Sequence, residues 1–309
     1  VTSKTLDTDI QSIKKAARKG VEDELFKRVE EILSKGEIEI NSENKIVWKN
    51  HPIARLKKGN DYLNPEVDVI ADESLSTDSK IKLISYLNKW LSNYIYEVLG
   101  DLIKLTQHKI ENQYLRGLVF QLYENNGVVK RSEVNQIVKL IPAEERKKLW
   151  GMGIKIGRYH IYLPKMLKPK AVEFRITLWK IFNNLSNKNK IPQSGLNFLV
   201  NNDFEKSFLL LCGFEKFTEF FVRIDILEKL FIQIIECTKD RKFKINAEMM
   251  NLLGCSKENF YKLMDYMNYK KDKTLDTYIF KGERKKKEKL IKFDKKENPF
   301  NKLLSLNIK

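Results

Sequence analysis

The sequence is poor in the residues that build disulfide frameworks and many zinc sites. It contains only three cysteines, Cys212, Cys237 and Cys255, which lie far apart and in apolar surroundings. No CxxC pair is present, so a zinc ribbon is excluded. An odd number of scattered cysteines also disfavours a disulfide framework, and it predicts reduced thiols in the core of a cytoplasmic protein.

Motifs of autonomous catalysis are missing as well. The three histidines form neither an HxxxH nor an HExxH spacing, and no GxSxG or GxxxxGK[ST] motif occurs. Gly151, Gly153 and Gly157 form GxGxxxG, which is one residue longer than the dinucleotide fingerprint and precedes a strand pattern rather than a helix. We therefore expect no catalytic residue, no metal and no cofactor in this chain.

Long apolar runs are also lacking. Stretches such as 208–214 are far shorter than the roughly 20 residues of a membrane-spanning helix, and residues 1–20 show no signal-peptide pattern. We expect no membrane partner. The first methionine is Met152, so Val1 marks either an unusual start codon or a piece of a longer protein. We favour the second interpretation.

Positive charge is abundant. The chain carries 58 Lys and Arg against 41 Asp and Glu, a net charge of +17. A basic balance of this size favours a polyanionic partner, most often nucleic acid. The alternative is that Lys, Asn and Ile are enriched together by compositional bias of the coding DNA. We favour a functional basic surface.

The first predicted domain, 1–105, combines helices with a β-hairpin. Apolar spacing predicts a helix over 9–34 and a long helix over 78–105. The alternating runs 37–40 and 45–48 predict the hairpin. Residues 51–76, which contain two prolines and a glycine, are expected to be irregular. The regular apolar stripe of the long helix indicates core packing rather than a cofactor site.

The second predicted domain, 106–185, shows three helices closed by a hairpin, which is the winged-helix order. Ser132 is the expected N-cap of its second helix. Gly157 and Arg158 are expected to form a two-residue type II′ turn. Lys155, His160 and Tyr162 would then share one face, with Arg158 at the tip.

Basic and aromatic residues around this hairpin form the predicted nucleic-acid surface, since cations neutralise phosphates and aromatic rings stack on unpaired bases. The residues are Lys155, Arg158, Tyr159, His160, Tyr162, Lys165, Lys168, Lys170 and Arg175. The alternative is a solvated rim whose tyrosines belong to the core. The residues alone leave both interpretations open.

The third predicted domain, 186–282, contains a helix-turn-helix pattern over 246–269, with Asn246 and Ser256 as N-caps and 277–280 as a possible wing. The tail, 283–309, holds a basic run that we add to the nucleic-acid surface, namely Arg284, Lys285, Lys286 and Lys287. It ends on an apolar stretch, 298-NPFNKLLSL-306, which could dock on the body or on a neighbouring domain. The predicted fold class is mainly α with small β-hairpins, including winged-helix and helix-turn-helix-like units.

Several segments together carry a resemblance to a known family. They are 20-GVEDELFKRVEEIL-33, 51-HPIARLKKGNDYLNPEVDVIADESL-75, 116-RGLVFQLYENNGVV-129, 153-GIKIGRYHIYLPKMLKPKAVEFRITLW-179, 222-VRIDILEKL-230, 252-LLGCSKENF-260 and 298-NPFNKLLSL-306. In this order they resemble the bacterial relatives of the mitochondrial-degradosome (Suv-three-type) RNA helicases, which are superfamily-two DExH ATPases. The resemblance covers nearly the whole chain, and its most specific element is the GRYHIYLP…LKP run.

The resemblance implies that this chain is the region that follows two RecA-like motor domains. Those motors would hold ATP and Mg²⁺, and none of their motifs occurs here. It also implies single-stranded RNA and the motor domains as partners, and it allows a nuclease as a further one. The implied role is RNA unwinding and degradation in the cytoplasm. The alternative is a free-standing winged-helix DNA-binding protein that reads duplex DNA through the helix-turn-helix at 246–269.

Overall fold

A computed structural model describes residues 2–35, 37–41, 43–70, 75–185, 191–193, 195–200, 205–272 and 277–281. Within these ranges 56% of the residues are helical, and every sheet is small and antiparallel. The predicted class, mainly α with small hairpins, is confirmed at this level. The predicted tail, 283–309, lies outside the described residues.

The N-terminal region is a four-stranded sheet between two long helices. Its elements are α1 (Thr2–Lys35), β1 (Ile38–Ile40), β2 (Lys45–Trp48), β3 (His51–Asp61), β4 (Asn64–Val69) and α2 (Thr77–Gln107). The strands follow chain order, β1-β2-β3-β4. Both predicted helices and the first hairpin are confirmed.

The expectation that 51–76 is irregular is wrong, because β3 and β4 occupy most of it. Pro52 pairs with Val47 at an irregularity of the register, and Pro65 lies in β4, an edge strand. A missing backbone N–H costs little at either kind of position. A Cβ on Gly59 would lie 1.8 Å from the Asn64 carbonyl oxygen, so this glycine permits a close approach of the two strands.

We call residues 113–162 the first unit. Its elements are α3 (Gln113–Glu124), β5 (Val128–Lys130), α4 (Arg131–Leu140), α5 (Ala143–Gly151), β6 (Lys155–Ile156) and β7 (His160–Tyr162), and the sheet order is β5-β7-β6. Asn112 caps α3. Ser132 is not an N-cap, because α4 begins at Arg131 directly after the strand.

A single apolar core joins the N-terminal region to the first unit. It extends from Val29 to Ile181 and includes buried residues of α2, the four-stranded sheet and all three helices of the first unit. A 3-10 helix (Pro164–Leu167) and α6 (Pro169–Phe182) then pack against α2. The core therefore runs across the predicted boundary at 105/106.

The remaining chain forms a connecting sheet and what we call the second unit, residues 224–280. The elements are β8 (Phe198–Leu199), α7 (Lys206–Leu211), β9 (Phe214–Lys216), β10 (Phe221–Arg223), α8 (Ile224–Cys237), β11 (Lys242–Phe243), α9 (Ala247–Leu253), α10 (Lys257–Tyr266), β12 (Tyr269–Lys271) and β13 (Tyr278–Phe280). Asn246 and Ser256 cap α9 and α10 as predicted.

The two units repeat one order of elements. Each runs helix, strand, helix, helix, strand, strand, and in each sheet the first strand pairs with the last: β5-β7-β6 and β11-β13-β12. The second unit has its own apolar core, which includes Leu230, Phe260 and Leu263.

The cysteines only partly follow the prediction of core thiols. Cys212 is buried, and this burial raises the pKa of its thiol to about 12. Cys255 is half-buried, whereas Cys237 at the end of α8 is exposed. The core assignment is therefore wrong for Cys237.

Candidate nucleic-acid interface

The turn between β6 and β7 is one residue away from its predicted place. Ile156 pairs with Ile161, and the Gly157 N–H donates to the His160 carbonyl over 2.8 Å. Arg158 and Tyr159 are therefore the central turn residues. Gly157 does not adopt the left-handed conformation that a type II′ turn would require. Lys155 pairs with Tyr162, so Lys155, His160 and Tyr162 still share one face. All three residues of β7 are nevertheless buried.

Position 157 requires glycine because a carboxylate lies against it, not because of the turn type. Glu228 of α8 accepts the backbone N–H groups of Arg158 (2.6 Å), Tyr159 (2.8 Å) and His160 (2.8 Å). A Cβ on Gly157 would lie 2.3 Å from the Glu228 carboxyl carbon. The tip of the first unit's hairpin is thus inserted against the second unit, with its amides satisfied there.

His160 is buried between two carboxylates of the second half of the chain. Its Nε2 lies 2.9 Å from Glu215 Oε2, and its Nδ1 lies 3.6 Å from Glu228 Oε1. Lys130 forms an ion pair with the other oxygen of Glu215. The expected place of His160 on a nucleic-acid-facing surface is wrong, because its side chain is 1% exposed.

The charged neighbours within this cluster determine which of its groups are ionised. Burial lowers the pKa of His160, but the hydrogen bonds and charges of Glu215 and Glu228 outweigh that effect and raise it. Burial raises the pKa of Glu215, but His160 and Lys130 outweigh that effect and lower it. A charged imidazole beside the ionised Glu215 carboxylate is the state consistent with both directions. We call Lys130, His160, Glu215 and Glu228 the latch.

Tyr162 belongs to the apolar interior, so its expected place on the surface is wrong, whereas Tyr159 is half-buried. Tyr162 is 5% exposed and packs with Val128 and Ile224. Burial raises its pKa to about 12. The Tyr159 ring meets Phe231 edge to face at 5.8 Å between centroids. The Tyr162 ring is therefore not presented to a base in solution, and the Tyr159 ring is only partly exposed.

Of the residues predicted for the nucleic-acid surface, Arg175 lies deepest in the interior. It lies on α6 and is fully buried. Its guanidinium donates to the carbonyl of Asn126, to that of Met166 over 2.7 Å and to that of Leu211 over 2.9 Å. Burial lowers its pKa. The side chain joins three backbone segments and is an internal anchor, not a phosphate contact.

Arg158 is half-buried instead of standing free at a tip. Its guanidinium carbon lies 5.9 Å from the ring centroid of Phe231 and 5.7 Å from that of Phe280. These are cation–π distances. The predicted exposure of Arg158 is therefore wrong, whereas that of Lys155 is confirmed.

Three lysines at the start of α6 do form an exposed basic edge. Lys165, Lys168 and Lys170, which we call the lysine rim, are all exposed. Lys165 pairs with Asp101 at 3.0 Å and Lys170 with Glu97 at 2.9 Å. Exposed pairs of this kind contribute about 0–1 kcal/mol. Each is therefore weak enough to be exchanged for a phosphate.

Two aromatic residues beside the rim fall, by helical spacing, on the apolar stripe predicted for α2. Trp90 and Tyr94 are half-buried, and their rings are stacked at 5.4 Å with a 16° angle. The ammonium of Lys170 lies 4.9 Å from the Tyr94 ring centroid. Helical spacing placed both residues on the inner stripe, but they lie at its margin. This margin offers an aromatic partner for the lysine rim that the buried Tyr162 does not supply.

Trp150 is another exposed aromatic side chain that the sequence did not single out. It is 75% exposed near the end of α5, two residues after the basic run Arg146, Lys147 and Lys148. A tryptophan next to the buried Leu149 cannot share its face of the helix. The position of Trp150 one residue after Leu149, on another face of the helix, is the sequence signal that predicts its exposure.

The second unit carries its own cation–aromatic face. Lys257 and Lys271 lie 5.8 and 6.0 Å from the Tyr261 ring centroid, and Tyr261 stacks against Tyr278. Lys262 is exposed and pairs with Glu219 at 2.7 Å. The remaining predicted contacts, Arg284, Lys285, Lys286 and Lys287, lie outside the described residues.

Comparisons with known proteins add no relative. A scan against protein-family models and searches of curated proteins and of solved structures found no match to this chain. In the described part of the chain, no helix has the length and apolar character needed to cross a membrane. In the same ranges, no three His, Cys, Asp or Glu side chains are grouped as a metal site.

Proposed function

We propose that this chain is an accessory region of an ATP-dependent RNA helicase and binds single-stranded RNA beside a motor that it does not contain. The observation that carries the proposal is the repeated order of helix, strand, helix, helix and hairpin in the two units. This order, with the first strand next to the last, is that of winged-helix domains. Both units are interpreted as winged helices.

The lysine rim and its neighbouring rings supply the proposed RNA contacts. Lysines bind phosphates without regard to sequence, and stacking on aromatic rings tolerates every base. Lys170 places both features within 4.9 Å of each other at Tyr94. Lys155 and the basic run at 284–287 extend the surface in this proposal. The net charge of +17 favours attraction of a polyanion over a distance.

The accessory role follows from the sequence resemblance together with the missing phosphate loop. ATP and Mg²⁺ would bind to RecA-like motor domains of the same parent protein, in the cytoplasm, and a nuclease could join them in RNA degradation. This chain would contribute RNA affinity and transmit motion between the motor and the strand. The latch supports such transmission, because it ties the two units together through buried charges.

Binding of the full chain to labelled nucleic acids tests the proposal. Single-stranded RNA, duplex RNA and duplex DNA are titrated at about 50 mM and about 200 mM salt. Single-stranded RNA should bind most tightly, with affinity that falls as salt rises. The chain alone should not hydrolyse ATP. Activity that persists after removal of contaminating ATPases, or equal affinity for all three nucleic acids, would contradict the proposal.

A DNA-binding role is the second candidate, and the succession of α9 and α10, which we interpret as a helix-turn-helix, supports it. Gly254 adopts a left-handed conformation between them, with φ of 66°. On α10, Lys257 and Lys262 are exposed, whereas Asn259 and Tyr261 are half-buried. In the same titrations, this role requires sequence-dependent binding to duplex DNA.

A further inference from the structure

An apolar groove lies on the outer side of the second unit. It has a volume of about 580 Å³ and is lined by Phe231, Ile234, Ile235, Phe243, Tyr269 and Phe280, with Arg158 and Arg241 among its polar residues. We call it the α8 groove. Arg158 lies close to both Phe231 and Phe280, so the hairpin of the first unit contributes to its lining.

Apolar exposure in and beside the groove is high. Ile235 is 55% exposed and Phe280 is 40% exposed, and Ile232, also on α8, is 53% exposed. Contiguous apolar surface of this kind marks a site of interaction. Thr238, which follows the last residue of α8, also lines the groove.

The chain itself supplies a segment suited to the groove. The described residues end at Lys281, one residue after the groove-lining Phe280, and 28 residues follow. Within 299-PFNKLLSL-306, Phe300, Leu303 and Leu304 have the spacing of one helix face. A proline one residue before Phe300 suits a first helical turn.

We propose that residues 299–306 dock into the α8 groove of the same chain. A helix that presents its apolar face to an apolar groove is a common mode of recognition. The 17 residues from 282 to 298 reach up to about 60 Å when extended, so they easily return to a groove that begins next to Phe280. Such a tether gives an effective concentration on the order of millimolar.

Charge favours this occupant over a second copy of the chain. Two copies would each carry +17, and like charges of this size oppose association. A tethered segment does not meet this barrier, because docking brings no second molecule of the same charge to the groove.

Hydrogen exchange of the full chain, read by mass spectrometry, tests the docking. Leu303→Asp with Leu304→Asp should speed amide exchange of peptides covering 228–238 and 278–281 by about tenfold. The matched control, Leu290→Asp with Ile291→Asp, makes the same chemical change in the intervening segment and should leave these peptides unchanged. Ile235→Lys, at an exposed position, should speed exchange of the 299–306 peptide.

Three outcomes would overturn the proposal. One is exchange of the 299–306 peptide in the unaltered chain at the rate of a free peptide. Another is equal loss of protection in the control variant. The third is protection that disappears on dilution together with a dimer mass in light scattering, since the occupant would then be a second copy. None of these measurements involves RNA, so the result is independent of the proposed function.

Discussion

The first and second units share one order of helices and strands, but their hairpins face different surroundings. The hairpin of the first unit ends in a turn whose amides are bound by Glu228, with His160 buried behind it. The hairpin of the second unit lies at the α8 groove, where Phe280 is 40% exposed. In the first unit, the hairpin therefore joins the two units inside the molecule. In the second unit, the hairpin borders an open apolar groove.

Loss of Arg175 should have the largest effect, because this residue holds the first unit to the segment that leads into the second. Its guanidinium bonds the carbonyls of Asn126, Met166 and Leu211. Arg175→Ala leaves them unpaired, at an expected cost of about 3–5 kcal/mol in the free energy of unfolding. Arg175→Lys should lose most of the same energy, since an ammonium cannot replace the planar fork. Urea denaturation measures both.

Lys168, an exposed residue of the lysine rim, provides the control for Arg175. Lys168→Ala should change stability by no more than about 0.5 kcal/mol. An Arg175→Ala variant as stable as this control would contradict the role of Arg175 as an anchor and return it to the predicted surface.

The sequence predicted the elements better than it predicted their exposure. Apolar spacing predicted α1 and α2, and the capping residues Asn246 and Ser256 predicted the starts of α9 and α10, because those signals are local. Burial of Arg175 could not be predicted, since its three carbonyl partners lie 9 to 49 residues away along the chain. The turn was shifted for the same reason: Gly157 looked like a turn glycine, but it makes room for a carboxylate 71 residues further on.

Substitution of Gly157 should show that the tip of the first hairpin is an internal joint. Gly157→Ala forces a Cβ towards Glu228, 2.3 Å from its carboxyl carbon, with an expected cost of about 1–3 kcal/mol. In a Glu228→Ala background the same substitution should cost little, because the clash is gone. The cycle of single and double variants, measured by thermal and urea denaturation, gives the coupling energy.

Gly151 provides the matched control for this cycle, because a Cβ there would meet nothing within 4 Å. Gly151→Ala should be close to neutral in either background. If Gly157→Ala cost the same with and without Glu228, the strain would belong to the turn alone, and the joint between the units would not depend on this glycine.

The latch should make the stability of the protein depend on pH above neutrality. The pKa of His160 is raised above its ordinary value of 6.5. Its contribution is therefore complete below pH 6.5 and is lost as pH rises through the folded pKa. In that window the folded state binds more protons than the unfolded state, so stability should fall by up to about 1.4 kcal/mol per pH unit.

His160→Gln should remove this slope between about pH 6.5 and 7.5, below the range in which cysteines titrate. The control is His51→Gln, an exposed histidine, which should retain the slope. Lys130, Glu215, Glu228 and Arg158 are the charged neighbours that remain in both variants. A slope of equal size in the His160→Gln protein would assign the pH dependence to other groups.

The lysine rim should contribute to RNA binding rather than to stability. In this it should differ from His160, Tyr162 and Arg175, the buried members of the same predicted surface. Lys165→Ala, Lys168→Ala and Lys170→Ala combined should lower the slope of log affinity for single-stranded RNA against log salt by about 2, if each lysine meets one phosphate. The control combines Lys15→Ala, Lys19→Ala and Lys27→Ala on the exposed face of α1, with the same loss of charge. Equal weakening by both sets would mean that the overall charge attracts RNA without a defined surface. A selective effect of the rim would place RNA on the outer edge of α6, while the hairpin beside it remains part of the joint between the units.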